Sequence, residues 1–153
     1  MNREVKRERR PTEPDPEGES SFGPGKAHGL RVLLIDDMET LLFILGNALK
    51  QQGCKVFSAR SGAAGIGLFR AHPTDAVICD LGLEDIDGGE VASRICEICE
   101  ECNRSKPPLI LMTGLPLDLA EQEELLSSGV DIILEKPVEI PQLMEVLRRV
   151  TRP

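Results

Sequence analysis

Residues 31–37 read Arg-Val-Leu-Leu-Ile-Asp-Asp, a short apolar run that stops at two carboxylates. Val32 and Ile35 are β-branched, and charged residues bound the run on both sides. A run of this length and uniform apolarity reads as a strand buried on both faces, as in a parallel sheet. The same figure returns downstream. Lys55-Val-Phe-Ser58 is a second strand, and Asp75-Ala-Val-Ile-Cys79 is a third that ends at Asp80. Leu109-Ile-Leu-Met112 ends at Thr113, and Asp131-Ile-Ile-Leu134 leads to Lys136-Pro137.

Between these runs the apolar period lengthens to that of a helix. Leu41, Leu45, Ala48, Leu49 and Gln52 follow it, and Gly53 stops it. Ser61 is placed to cap a helix that runs to about Ala71 and closes at His72-Pro73. That helix holds Gly62, Gly65 and Gly67. An interior Gly costs about 1 kcal/mol relative to Ala, so this helix is expected to be the weakest. Gly88-Gly89 opens another, with Val91, Ile95, Ile98, Cys99 and Cys102 on one face. Residues 119–128 form a fourth, stopped by Gly129, and Pro141 sits early in a last helix whose face is Leu143, Val146, Leu147 and Val150. Five strands alternating with five helices imply an α/β fold, a parallel sheet covered on both faces.

Composition narrows the function classes. The 153 residues carry 18 basic and 26 acidic side chains, a net charge of −8. Six of each sign fall in residues 1–29, so residues 30–153 hold 12 against 20 and carry the whole imbalance. Residues 1–29 also contain Pro11, Pro14, Pro16, Pro24 and four glycines, with Phe22 as the only aromatic. Such a stretch buries too little apolar surface to offset its ordering entropy, and it reads as a disordered leader or linker. Its basic cluster, Lys6–Arg10, is open to two readings, a docking patch or, more simply, a solvated tail. An acidic chain with 3% aromatics and no Trp or Tyr suits neither a phosphate-backbone binder nor a base-stacking platform. No apolar run approaches the length of a membrane span, and the charged N-terminus lacks the apolar stretch of a secretory signal. Five cysteines, an odd number, then read as reduced thiols, and a cytoplasmic location is expected.

The polar residues at the strand ends carry the chemistry. In an open parallel sheet, ligands bind at the carboxyl ends of the strands, where strand order reverses. If the first and third strands are neighbours, Asp36, Asp37 and Asp80 converge and repel, a conflict that a divalent cation resolves. Oxygen-only ligands with few protein groups suit Mg²⁺, which keeps several waters. Lys136 and Thr113 beside that cluster are the parts needed to hold a phosphoryl group, and one carboxylate would be the nucleophile that forms an acyl phosphate.

Taken together, residues 31–150 resemble the receiver domain of two-component response regulators. The likeness rests on Asp36-Asp37, on Asp80-Leu-Gly-Leu-Glu-Asp-Ile-Asp-Gly88, on Thr113-Gly114 and on Lys136-Pro137, in that order. It implies a flavodoxin-like (βα)5 fold with strand order 2-1-3-4-5, residues 30–153 as the receiver and residues 1–29 as its leader. It implies that Asp80 accepts phosphate from a phosphohistidine of a sensor histidine kinase or phosphotransfer protein. Asp37, Asp80 and the backbone carbonyl of Gly82 would ligate Mg²⁺, with Asp36 acting mainly through water. Lys136 would pair with phosphoryl oxygens and Thr113 would hydrogen-bond the new phosphate. The Lys136–Pro137 bond is often cis in such proteins. The implied responsive face is the fourth helix, fifth strand and fifth helix. No direct nucleic-acid or membrane partner is implied, and no turnover beyond self-directed phosphotransfer and hydrolysis.

Three positions depart from the family pattern. Glu84 stands where Pro is usual, and its simplest place is in water. Ile133 stands where Tyr or Phe is usual; it cannot swing a ring, which bears on the coupling of Thr113 to the outer face and not on phosphorylation. Gly114 replaces a common Ala and widens access to the site, so faster loss of phosphate is expected.

Other residues have plain readings. Cys96, Cys99 and Cys102 resemble a metal run but lie on an expected helix with no fourth ligand near, so they read as small core residues, as does Cys79. Phe43, Phe57 and Phe69 read as core, and His28 and His72 receive no role. Rival functions are an aspartate-nucleophile phosphatase of the haloacid dehalogenase type, a degenerate receiver that only binds proteins, and a thiol or metal sensor built on the cysteine run. The first would have its nucleophile on the first strand and a second Asp two residues on, where Gly82 follows Asp80 here. No output domain is expected after Pro153, which suits either a single-domain regulator or the receiver piece of a hybrid histidine kinase.

Overall fold

The computed structural model describes residues 29–151. The leader expected over residues 1–29 therefore falls, except for Gly29, outside the described residues. The strands are β1 (Arg31–Ile35), β2 (Lys55–Ala59), β3 (Ala76–Asp80), β4 (Leu109–Thr113) and β5 (Ile132–Glu135). The helices are α1 (Glu39–Gln51), α2 (Gly62–Ala71), α3 (Gly88–Glu101), α4 (Leu119–Ser127) and α5 (Ile140–Val150). All strand pairs are parallel, in the order β2-β1-β3-β4-β5. This is the flavodoxin-like arrangement, with its switch point between β1 and β3.

Strand side chains alternate between two cores, as a period of two requires. Val32, Leu34, Ile78, Ile110 and Met112 meet α1 and α5 on one face. Leu33, Ile35, Val77, Cys79 and Leu111 meet α2 and α3 on the other. β3 and β4 are buried along their whole length. Two glycines of α2 have packing reasons. A Cβ on Gly65 would lie 2.4 Å from Ile35 Cδ1, and one on Gly62 would lie 2.5 Å from Ile86 Cγ1, whereas Gly67 faces open space.

The structure corrects several expectations. Phe43 is not core: Leu42, Leu45 and Leu49 turn inward on α1, and Phe43 stands 69% exposed on the outer side. Cys102 lies past the end of α3 and is exposed, so the apolar face closes at Cys99. β3 and β5 each begin one residue later than expected, at Ala76 and Ile132 rather than at Asp75 and Asp131. At these positions the Asp75 carboxylate binds the Arg31 guanidinium at 2.9 Å, and the Asp131 carboxylate accepts the Leu109 N–H at 2.8 Å. No helix among the described residues is long and apolar enough to cross a membrane.

Candidate functional site: a carboxylate cluster with one ammonium

Parallel strands in register bring their carboxyl ends together. Ile35 pairs with Cys79, so the residues that follow, Asp36 and Asp80, emerge side by side. Lys136 arrives from the far edge, its backbone N–H bonded to the Thr113 carbonyl at 2.8 Å. Its Nζ lies 3.0 Å from Asp80 Oδ1 and 3.2 Å from Asp36 Oδ2. The Lys136–Pro137 bond is cis.

The carboxylates are not equivalent. Asp36 is buried, with Oδ1 accepting the Met38 N–H at 2.9 Å and Oδ2 facing Lys136. Burial pushes its carboxyl above the ordinary range and Asp80 adds to the push, while Met38 and Lys136 draw it part of the way back. Asp80 is also buried, and its second oxygen, Oδ2, lies 4.0 Å from where a Cβ on Gly82 would stand. Asp37 is half-buried, and its carboxylate enters none of the hydrogen bonds or ion pairs among the described residues. Burial works against the Lys136 ammonium, but Asp80 and Asp36 outweigh it, and its pKa stands above the ordinary lysine value.

Three carboxylates against one ammonium leave surplus negative charge at a buried corner. Asp36, Asp37 and Asp80 offer one oxygen each within 4.8 Å of one another, the one such group of possible metal ligands among the described residues. An all-oxygen donor set with so few protein ligands fits Mg²⁺.

Thr113 reaches the same end of the sheet, but its hydroxyl is turned to its own loop. Oγ1 donates to the Leu115 carbonyl at 2.9 Å and accepts the Leu115 N–H at 3.2 Å. Gly114 is exposed, Glu84 faces water, and Ile133 is half-buried against the α2–α3 core. Burial raises the thiols of Cys96 and Cys99, the reverse of what a reactive thiolate needs.

Sequence reading missed Asp85. Its two oxygens accept the Gly62 and Ala63 N–H groups, each at 2.9 Å. It thereby ties the loop after Asp80 to the N-terminus of α2, beside the cap made by Ser61. Those backbone donors hold its carboxyl below the usual carboxylate range. The bond spans 22 and 23 positions, so no local pattern announces it.

A five-stranded doubly wound sheet of order 2-1-3-4-5, with an acidic cluster and a lysine at its switch point, defines a flavodoxin-like protein. Residues 32–148 match the response regulator receiver domain family, and the chain belongs to that family. It is 28% identical over 120 residues to the aerobic respiration control sensor protein ArcB of Escherichia coli K12, across 78% of this chain and 15% of that protein. It is 33% identical over 120 residues to the virulence sensor protein BvgS of Bordetella pertussis, across 77% of this chain and 10% of that one. The chain thus spans a small part of these relatives. Among solved structures it resembles a CheY-like receiver domain protein from Methanospirillum hungatei JF-1 (TM-score 0.71, 22% identity, 80% of this chain and 94% of that one). It also resembles a chain of the Saccharomyces cerevisiae complex of the phosphotransfer protein Ypd1 with the receiver domain of Ssk1 (TM-score 0.74, 18% identity, 81% of this chain and 90% of that one).

Proposed function

We propose that residues 30–153 are a phosphoacceptor receiver in a two-component phosphorelay, with residues 1–29 as a leader, and that Asp80 takes a phosphoryl group from a phosphohistidine. The donor would be a sensor histidine kinase or a phosphotransfer protein, the class to which the similar proteins' names point. An oxygen of Asp80 attacks phosphorus, the P–N bond breaks as a P–O bond forms, and the imidazole leaves with its electron pair. Hydrolysis of the acyl phosphate later returns the carboxylate and inorganic phosphate.

The observation that carries this reading is the division of labour around Asp80. Lys136 holds Oδ1, and Oδ2 is left beside Gly82, which has no side chain to cover it. Asp37, Asp80 and the Gly82 carbonyl would hold Mg²⁺. Asp36, whose oxygens are already engaged by Met38 and Lys136, would act through water. The ion, when bound, supplies positive charge against the oxygens of the transferring group. Lys136 supplies a second positive charge from the protein, and Thr113 must release Leu115 before its hydroxyl can reach a phosphate.

Incubation of the chain with acetyl phosphate and Mg²⁺, followed by intact mass measurement, tests the reading. One phosphoryl group per chain is expected, labile to hydroxylamine and absent from Asp80→Asn or when Mg²⁺ is chelated. A label that survives in Asp80→Asn would refute it. A chain that never takes the label would be a receiver that only binds proteins, and continuous release of phosphate over many turnovers would mark a phosphatase.

A further inference from the structure

A cleft of about 430 Å³ separates the start of α3 from α4, apart from the carboxylate corner. Its floor is apolar, from Leu81, Leu117 and Leu125. At its base the helices nearly touch: a Cβ on Gly89 would lie 2.9 Å from Leu125 Cδ2. Its rim carries Asp87, Glu90, Glu121 and Glu124, and among the described residues no Lys, Arg or His lines it. Asp87 and Glu121 are occupied in capping their helices. The carboxylates of Glu90 and Glu124 enter no hydrogen bond or ion pair among the described residues. The α4 side is also unpartnered: none of its residues is buried, and Leu119 and Leu126 are 70% and 48% exposed.

We propose that this cleft docks a lysine- and arginine-rich segment, and that Lys6-Arg-Glu-Arg-Arg10 of the same chain is its occupant. The charges are complementary along the sequence. Residues 1–10 hold five basic side chains against two acidic ones, whereas residues 11–28 hold one against four. The far end of the leader is thus drawn to an acidic domain that repels its near end. Length allows it: the 18 residues from 11 to 28 reach roughly 60 Å when extended, against a radius of gyration of roughly 14 Å for a domain of this size. Tethering gives the basic segment an effective concentration on the order of millimolar, so individually weak, solvent-exposed ion pairs suffice to populate the docked state. Arginine stems can lie along the leucine floor while their guanidinium groups meet the glutamates. The floor residue Leu81 directly follows Asp80, so an occupied cleft borders the loop that carries the carboxylate cluster.

The test compares backbone amide shifts of the full chain with those of the full chain carrying Lys6→Gln, Arg7→Gln, Arg9→Gln and Arg10→Gln. The amides of Leu81, Gly89, Ser93 and Leu125 are expected to differ. The difference should shrink severalfold between about 0.01 M and about 1 M salt, where the screening length falls from roughly 30 Å to roughly 3 Å. In a Glu90→Gln/Glu124→Gln background the leader substitutions should no longer move these amides, with the β1 and β3 amides unchanged as the check on folding. Absence of a difference in the cleft, a difference centred elsewhere, or one that grows with protein concentration overturns the proposal, the last because the occupant would then be a neighbour's segment. No phosphodonor or metal is added, so the result is independent of the chemistry at Asp80.

Discussion

The part of the molecule around β1, β3 and the loop after Asp80 is built differently from α4 and the loop that leads into it. On the first side Asp36 accepts a backbone N–H, and Asp85 ties the loop after Asp80 to α2. Across the sheet, α4 buries no residue, Leu115 is 74% exposed, and the Thr113 hydroxyl is satisfied within its own loop. Phosphoryl chemistry, as proposed for Asp80, needs groups fixed before the donor arrives, and the clamped elements would supply them. A helix that buries little is cheap to shift, and a signal must be a shift between two surface states. On the proposed reading, chemistry and response belong to different elements at one end of the sheet, joined by Lys136, whose amide hangs on Thr113 and whose ammonium reaches Asp80.

The contrast is testable in stability. Ile78→Ala in β3 removes a fully buried side chain and is expected to cost about 2–5 kcal/mol in denaturant unfolding. Leu119→Ala in α4 should stay within about 0.5 kcal/mol of the parent. Similar costs at the two sites would break the comparison. Glycines sharpen it. A Cβ on Gly88 would lie 2.8 Å from the Asp80 carbonyl and 2.9 Å from Leu81 Cα, backbone atoms that cannot step aside. Gly88→Ala should therefore cost about 1–3 kcal/mol and reduce Asp80 labelling. A Cβ on Gly114 meets nothing within 4 Å, so Gly114→Ala should be neutral or stabilising by up to about 1 kcal/mol.

The smallest effect concerns pH. The Asp85 carboxyl is held down by the α2 amides, so the folded chain binds that proton more weakly than the unfolded chain does. Its contribution is present above the ordinary Asp value and is lost as pH falls through the lower folded value. Asp85→Asn should give a thermal midpoint that falls less than the parent's between about pH 5 and about pH 2. An unchanged acid profile would mean that the loop is held by something else.

The strands and the carboxylate corner were legible because buried parallel strands are continuous apolar runs and their ends are marked by Asp, Thr and Lys. What escaped was angular or remote. The expected stripe of α1 already sets Phe43 roughly 160° from Leu41 and Leu45, so its apolarity, not its helical position, made it read as core. Each step from Cys96 to Cys99 to Cys102 falls about 60° short of a full helical turn, so the third thiol drifts off the buried face. Asp85 was opaque for another reason: its partners belong to a helix that precedes it in sequence and meets it only in the fold.

Amide hydrogen exchange across the whole chain, before and after Asp80 is loaded from acetyl phosphate with Mg²⁺, bears on chemistry and response at once. Slow exchange in β1 and β3 is expected in both states, with the changes concentrated in the loop after Thr113 and in α4. Loading that alters β1 and β3 while leaving α4 untouched would contradict the account.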